Sequence, residues 1–164
     1  MMSWEFKEQN KVFTAILSVD TVSTHWALGL RRLQIPGPEP MITAGMPFDH
    51  ARNECVRAFL QSPCQYLFFL DSDVVPPVDT IHRLLRWNRP IISGMYCRRS
   101  PPHAVPVMMR NHQWVTELPQ DPRNPLVEVD LVGSGCLLLS RQLLEEFPQK
   151  ADPKHVARAI RLLR

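Results

Sequence analysis

Tyr66-Leu67-Phe68-Phe69-Leu70-Asp71-Ser72-Asp73-Val74-Val75-Pro76-Pro77 is the stretch on which the fold turns. Five apolar residues run straight into two carboxylates spaced two apart, and a proline pair then stops the run. An unbroken apolar block of this kind reads as a strand buried on both faces, as in a parallel sheet between helix layers. Side chains alternate along a strand, so Asp71 and Asp73 share one side and Ser72 takes the other. Two like charges side by side near a core are costly, and a divalent cation or a hydrogen-bonded polar ligand relieves them. The carboxyl end of a strand is also where open α/β sheets place ligands. Two solvated aspartates in a turn are the plainer alternative, but a turn has no need of two carboxylates on one side.

Upstream, Val12 to Val19 reads as a strand ending at Asp20, and Val22, Trp26, Leu30 and Leu33 recur at helical spacing after it. Met41 to Ala44 is a short strand. Pro47 to Gln61 reads as a helix with apolar stripe Phe48, Ala51, Cys55, Val56 and Phe59. Arg52 falls inside that stripe, where a guanidinium needs an anion, a structural ion pair or a route to water. Downstream, Pro77 opens a helix with inner face Val78, Ile81, Leu84 and Leu85, and Ile91 to Tyr96 is a further strand. A proline-rich loop follows, then an edge strand around Val105 to Met109. Val127 to Val132 alternates as a strand, and Gly133-Ser134-Gly135 interrupts it, which suggests a bulge or a close backbone approach by a ligand. Leu137 to Leu139 resumes the strand, Ser140 caps a helix to Phe147, and Pro148 to Pro153 breaks it.

Strands and helices alternate through the first hundred residues, which predicts an α/β fold with a mainly parallel sheet flanked by helices and a strand-rich, irregular second half. The 164 residues are expected to divide into one domain over 1–147 and a basic helical tail over 148–164. Hydrophobic content of 45% with 21% charged residues excludes a disordered chain, and a net charge of +3 gives no basis for nucleic-acid binding. Cys55, Cys64, Cys97 and Cys136 lack zinc-ligand spacing, so they read as free thiols in a reducing compartment, the cytoplasm. No apolar run is long enough for a transmembrane segment, although the basic tail is suited to peripheral contact with a membrane or a partner.

Taken together, Ala51-Arg52-Asn53, Tyr66 to Pro77, Pro90 to Arg99 and Val129 to Phe147 resemble the GT-A fold nucleotide-sugar glycosyltransferases, in particular the small family-2-like enzymes of bacteria and phages. The resemblance spans roughly residues 11 to 147. It implies a Rossmann-like GT-A domain, a UDP- or GDP-linked sugar donor and an acceptor that is a glycan, lipid or protein. The Asp-x-Asp would hold Mn2+ or Mg2+ and bridge the donor's diphosphate, because breaking the sugar–diphosphate bond builds negative charge that a cation stabilises. By resemblance, Asp73 is a direct metal ligand, and Asp71 meets the ribose or a metal-bound water. Ser18, Asp20 and Arg52 lie by the nucleotide, Gly133, Ser134 and Gly135 line the sugar or acceptor side, and Asp130 is offered as a catalytic contact.

The family also supplies an acidic pair as general base and a later histidine for the metal, beyond the helix after the Gly-x-Gly segment. This chain reaches Arg164 without either at the expected place, and it is expected to be C-terminally short. Glu145-Glu146 sits inside the helix, where it reads as a solvated face, and His155 serves only if the tail folds back. His103 and Arg98-Arg99, in or beside the proline-rich loop, are candidates to screen a diphosphate. Two alternatives stand beside transfer. One is a truncated nucleotide-sugar-binding or assembly module without catalysis. The other is a phosphatase of the haloacid-dehalogenase type with Asp71 as covalent nucleophile, which Val74-Val75-Pro76 after the second aspartate disfavours.

Overall fold

The computed structural model describes residues 11–18, 21–97, 106–115 and 126–150, with the side chains of 147–150 excepted. Asp20, Arg98, Arg99, His103, the start of the expected edge strand at Val105, His155 and the tail beyond Lys150 lie outside the described residues.

The elements in chain order are β1 (Val12–Ser18), α1 (Thr24–Arg32), β2 (Met41–Ala44), α2 (Phe48–Gln61), β3 (Tyr66–Asp71), α3 (Thr80–Arg86), β4 (Ile91–Ser93), β5 (Met108–Arg110), β6 (Gln113–Trp114), β7 (Leu131–Val132), β8 (Cys136–Ser140) and α4 (Arg141–Lys150). They build a five-stranded sheet in the order β2-β1-β3-β8-β4 and a three-stranded sheet in the order β6-β5-β7.

This corrects the mainly parallel GT-A sheet expected above. Among the described residues, only the β1–β2 and β1–β3 ladders are parallel, while β3–β8, β4–β8, β5–β6 and β5–β7 are all antiparallel. The result is a mixed α/β fold with two sheets, largely antiparallel, and four helices among the described residues. The cause lies in the connection after β4. A parallel return needs a long crossover, usually a helix. Here the chain leaves β4 through the small sheet, which joins its carboxyl end where Val107 N–H donates to the Tyr96 carbonyl (2.9 Å). It re-enters from that same end as β8, so β8 runs against both β3 and β4.

β3 is buried on both faces. Phe68 and Leu70 pack with Val12, Ile16, Trp26, Ile81 and Leu138 on one side. Leu67 and Phe69 pack with Ala15, Leu17, Cys55, Phe59 and Leu137 on the other. The strand period of two thus feeds two cores, one against α1 and α3 and one against α2.

Local chemistry sets several boundaries. Ser23 caps α1, its hydroxyl accepting from the Trp26 amide (3.1 Å). Pro76 and Pro77 delay α3 to Thr80, since a residue before proline avoids the helical region. The β5–β6 hairpin turns on Asn111 and His112, both at positive φ (51° and 62°), as a two-residue primed turn requires. The Ser140 hydroxyl accepts from the Leu143 amide (3.3 Å) and caps α4, which continues through Pro148 to Lys150 rather than ending at Phe147. The alternating Val127–Val132 stretch pairs only over Leu131–Val132, because β5 offers a partner of three residues.

Candidate functional site

β3 ends at Asp71, and the backbone there is held from three directions. The Asp71 amide donates to the Gly135 carbonyl (3.0 Å). Its carbonyl accepts from Trp26 Nε1 of α1 (3.2 Å) and from the Val74 amide (3.1 Å). One residue on, the Ser72 amide donates to the Leu17 carbonyl (3.0 Å), which ties the carboxylate turn to the end of β1, where Ser18 stands.

The Asp71 carboxylate is paired with Arg52, whose Nη2 lies 3.1 Å from Oδ1 and 3.4 Å from Oδ2. Helical spacing brings Arg52 of α2 to the sheet beside Ala51 and Cys55, and it is 8% exposed. Its guanidinium also lies 5.7 Å from the Phe48 ring centroid, one turn earlier. The awkward arginine of the sequence therefore meets a carboxylate of its own chain. Burial still dominates the pair. The Asp71 carboxyl is pushed above the ordinary carboxylate range by desolvation, with Arg52 pulling it down and Asp73 pushing it up. Arg52 Nε is buried with no hydrogen-bond acceptor among the described residues, a donor of the kind an incoming anion satisfies. Asp73 is exposed.

Gly133, Ser134 and Gly135 form the corner between β7 and β8, and Ser134 and Gly135 are buried. The close approach that these glycines permit is made by Tyr96. A β-carbon on Gly133 would stand 2.0 Å from Tyr96 Oη, and one on Gly135 would stand 3.0 Å from both Tyr96 Oη and Asp71 Oδ2. The Tyr96 hydroxyl accepts from the Gly135 amide (2.8 Å). Burial raises the phenol above its usual range, so it stays protonated at neutral pH. Beneath Asp71, burial pushes the Cys136 thiol up to about 11.

Ser18 lines a recess of about 140 Å3 with Leu17, Thr43, Gly45, Met46, Phe48 and Ala51. A cavity on the order of 150 Å3 takes one six-membered ring. A larger cleft, of about 840 Å3, lies at the amino end of β3 by Gln65, Asn88 and Arg141. It is remote from the carboxylates, and its Arg141 is spent on the main-chain carbonyls of Phe59, Leu60, Ser62 and Cys64. The small recess is therefore the one that belongs with the chemistry.

Asp71, Arg52, Gly133 and Gly135 are thus brought together, with Ser18 next to them across the β1–β3 ladder. Asp130 is exposed in the small sheet's periphery, where its carboxylate accepts from the Asn111 amide at the β5–β6 turn. Tyr96 and Trp26 are the site residues that sequence reasoning missed as such. Two glycines one residue apart before a buried strand were the signal for Tyr96, since a close approach there needs a visitor but does not name it.

No three His, Cys, Asp or Glu side chains gather as a metal-binding group among the described residues. A hard cation such as Mg2+ is commonly held by one or two carboxylates, with water and substrate phosphates completing the shell. Asp73 and Asp71 fit that donor set, and the unmet Arg52 donor suits an anion arriving with it.

No helix among the described residues is long and apolar enough to cross a membrane. No known protein-family pattern matches the chain, and no curated protein matches it. Among solved structures it is similar to the crystal structure of A197 from STIV, with a TM-score of 0.63 at 22% sequence identity over 82% of this chain and 68% of that one. At that identity the likeness is one of fold, and the fold is what the two chains share.

Proposed function

We propose that this protein binds a nucleoside diphospho-sugar at the carboxyl ends of β1 and β3 and transfers the sugar to an acceptor. The observation that carries the proposal is the pairing of an exposed carboxylate, Asp73, with a ring-sized recess at the end of the neighbouring strand. The recess would take the base, with Ser18 at its rim. Asp73, helped by Asp71, would hold Mn2+ or Mg2+. When bound, that cation neutralises charge on the leaving diphosphate. Arg52 supplies positive charge from beneath and holds Asp71 in place, so Asp73 is the carboxylate turned outward. The Gly133–Gly135 corner closes the side next to Asp71. Acceptor and sugar stay open, since hydroxyl-bearing glycans, lipids and proteins all suit a transfer of this kind. Buried free thiols suit the reducing cytoplasm.

Donor binding without transfer is favoured by one observation: Asp130, the carboxylate offered for catalysis, is engaged in the turn at Asn111.

Calorimetric titration with UDP and GDP, with and without Mn2+, tests the proposal. The chain should bind one of them in a Mn2+-dependent manner, and Asp73→Ala should weaken that binding by about tenfold or more. Metal-independent binding, or none, would sink it. Donor turnover by the purified chain would separate transfer from binding alone.

A further inference from the structure

We propose that Tyr96 is a positioning residue for Asp71, setting the wall on which the carboxylate rests. This deepens the nucleotide-binding proposal and rests on it. The Tyr96 ring fills the gap left by Gly133 and Gly135, and Val107 Cγ1 closes it from behind, 2.8 Å from where a β-carbon on Gly133 would stand. Its hydroxyl accepts from the Gly135 amide, and the Gly135 carbonyl in turn accepts from the Asp71 amide. Tyr96, Gly135 and Asp71 therefore form one chain of hydrogen bonds that runs from the end of β4 to the end of β3. Tyr96 Oη and Asp71 Oδ2 each lie 3.0 Å from the point where a β-carbon on Gly135 would stand. The phenol has one lone pair engaged by Gly135 and still holds a proton to donate. Arg52 draws the Asp71 carboxylate toward α2, and the Gly135–Tyr96 wall holds the Asp71 main chain through the Gly135 carbonyl. Without the hydroxyl, the Gly135 amide loses its acceptor, and the segment whose carbonyl receives the Asp71 amide is less firmly placed.

Tyr96→Phe keeps the ring in the glycine gap and removes only the hydroxyl. Val107→Ala thins the same packing without touching the hydrogen bonds. Both variants would be titrated with UDP and GDP in Mn2+, alongside thermal unfolding. Tyr96→Phe should weaken nucleotide binding by about tenfold. Val107→Ala should stay within about twofold of the wild-type affinity, even if its unfolding temperature falls further. Wild-type affinity in Tyr96→Phe, or an equal loss in both variants, overturns the assignment and leaves the binding proposal standing. A wild-type chain that binds no nucleotide in Mn2+ removes both together.

Discussion

Arg52 and Asp71 form a pair whose partners need one another to different degrees as pH changes. The folded chain holds the Asp71 proton more tightly than an ordinary carboxyl with a value of 3.8, because burial outweighs the guanidinium's pull. The folded value is thus raised above the unfolded one. The stability from this group is fully present below about 3.8 and is lost as pH rises through the folded value. Arg52 limits that loss. Arg52→Met should therefore cost on the order of 3 kcal/mol at neutral pH, by leaving a carboxylate without its counter-charge. The cost should shrink as pH falls and Asp71 takes up its proton. Urea unfolding of both chains at a series of pH values reads this, and a pH-independent cost would show that the pair is not what holds Arg52 inside.

Among the elements, the Arg141 side chain of α4 ties that helix to the end of α2. Arg141 donates to the Phe59, Leu60, Ser62 and Cys64 carbonyls around the end of α2, and its guanidinium lies 4.6 Å from the Phe59 ring centroid. The last carbonyls of a helix lack intrahelical partners, so this arginine closes α2 from outside. Arg141→Ala should lower stability by about 2–4 kcal/mol, and the denaturation midpoint measures it. Arg141→Lys should recover only part, since one ammonium cannot serve four acceptors spread over a planar fork. A midpoint unchanged in the alanine variant would reduce Arg141 to a surface residue.

The same scale shows what could be read from the sequence. Periodicity located β1, α1, β2, α2 and β3, because each carries its own burial pattern within a few residues. Strand direction was not legible. Cys136-Leu137-Leu138-Leu139 is apolar throughout and buried on both faces, and such a run looks the same whichever way it pairs. Val127 to Val132 shows the opposite failure, since alternation signals a strand but says nothing about the length of its partner. At the site, Asp71 and Arg52 stood out by being charged where apolar residues belong. Tyr96 did not, because a tyrosine at the end of an apolar stretch is ordinary until its neighbour is known to be glycine.

Across the whole molecule, the candidate site draws on segments from far apart in the chain, and β8 holds them together. It pairs with β3 on one side and β4 on the other, and Leu137 and Leu138 are fully buried within the two cores. A chain ending at residue 130 should therefore lose cooperative unfolding, as followed by circular dichroism in urea. A truncated chain that still unfolds in one sharp transition would mean that β1, β2 and β3 make a domain by themselves. The central place of β8 also has a consequence during synthesis. About sixty-five residues separate the end of β3 from the start of β8, which at about 5–20 residues per second is roughly three to thirteen seconds of translation. For that interval one flank of β3 has no mate, and a ribosome-bound chaperone would find Phe68 and Phe69 waiting there.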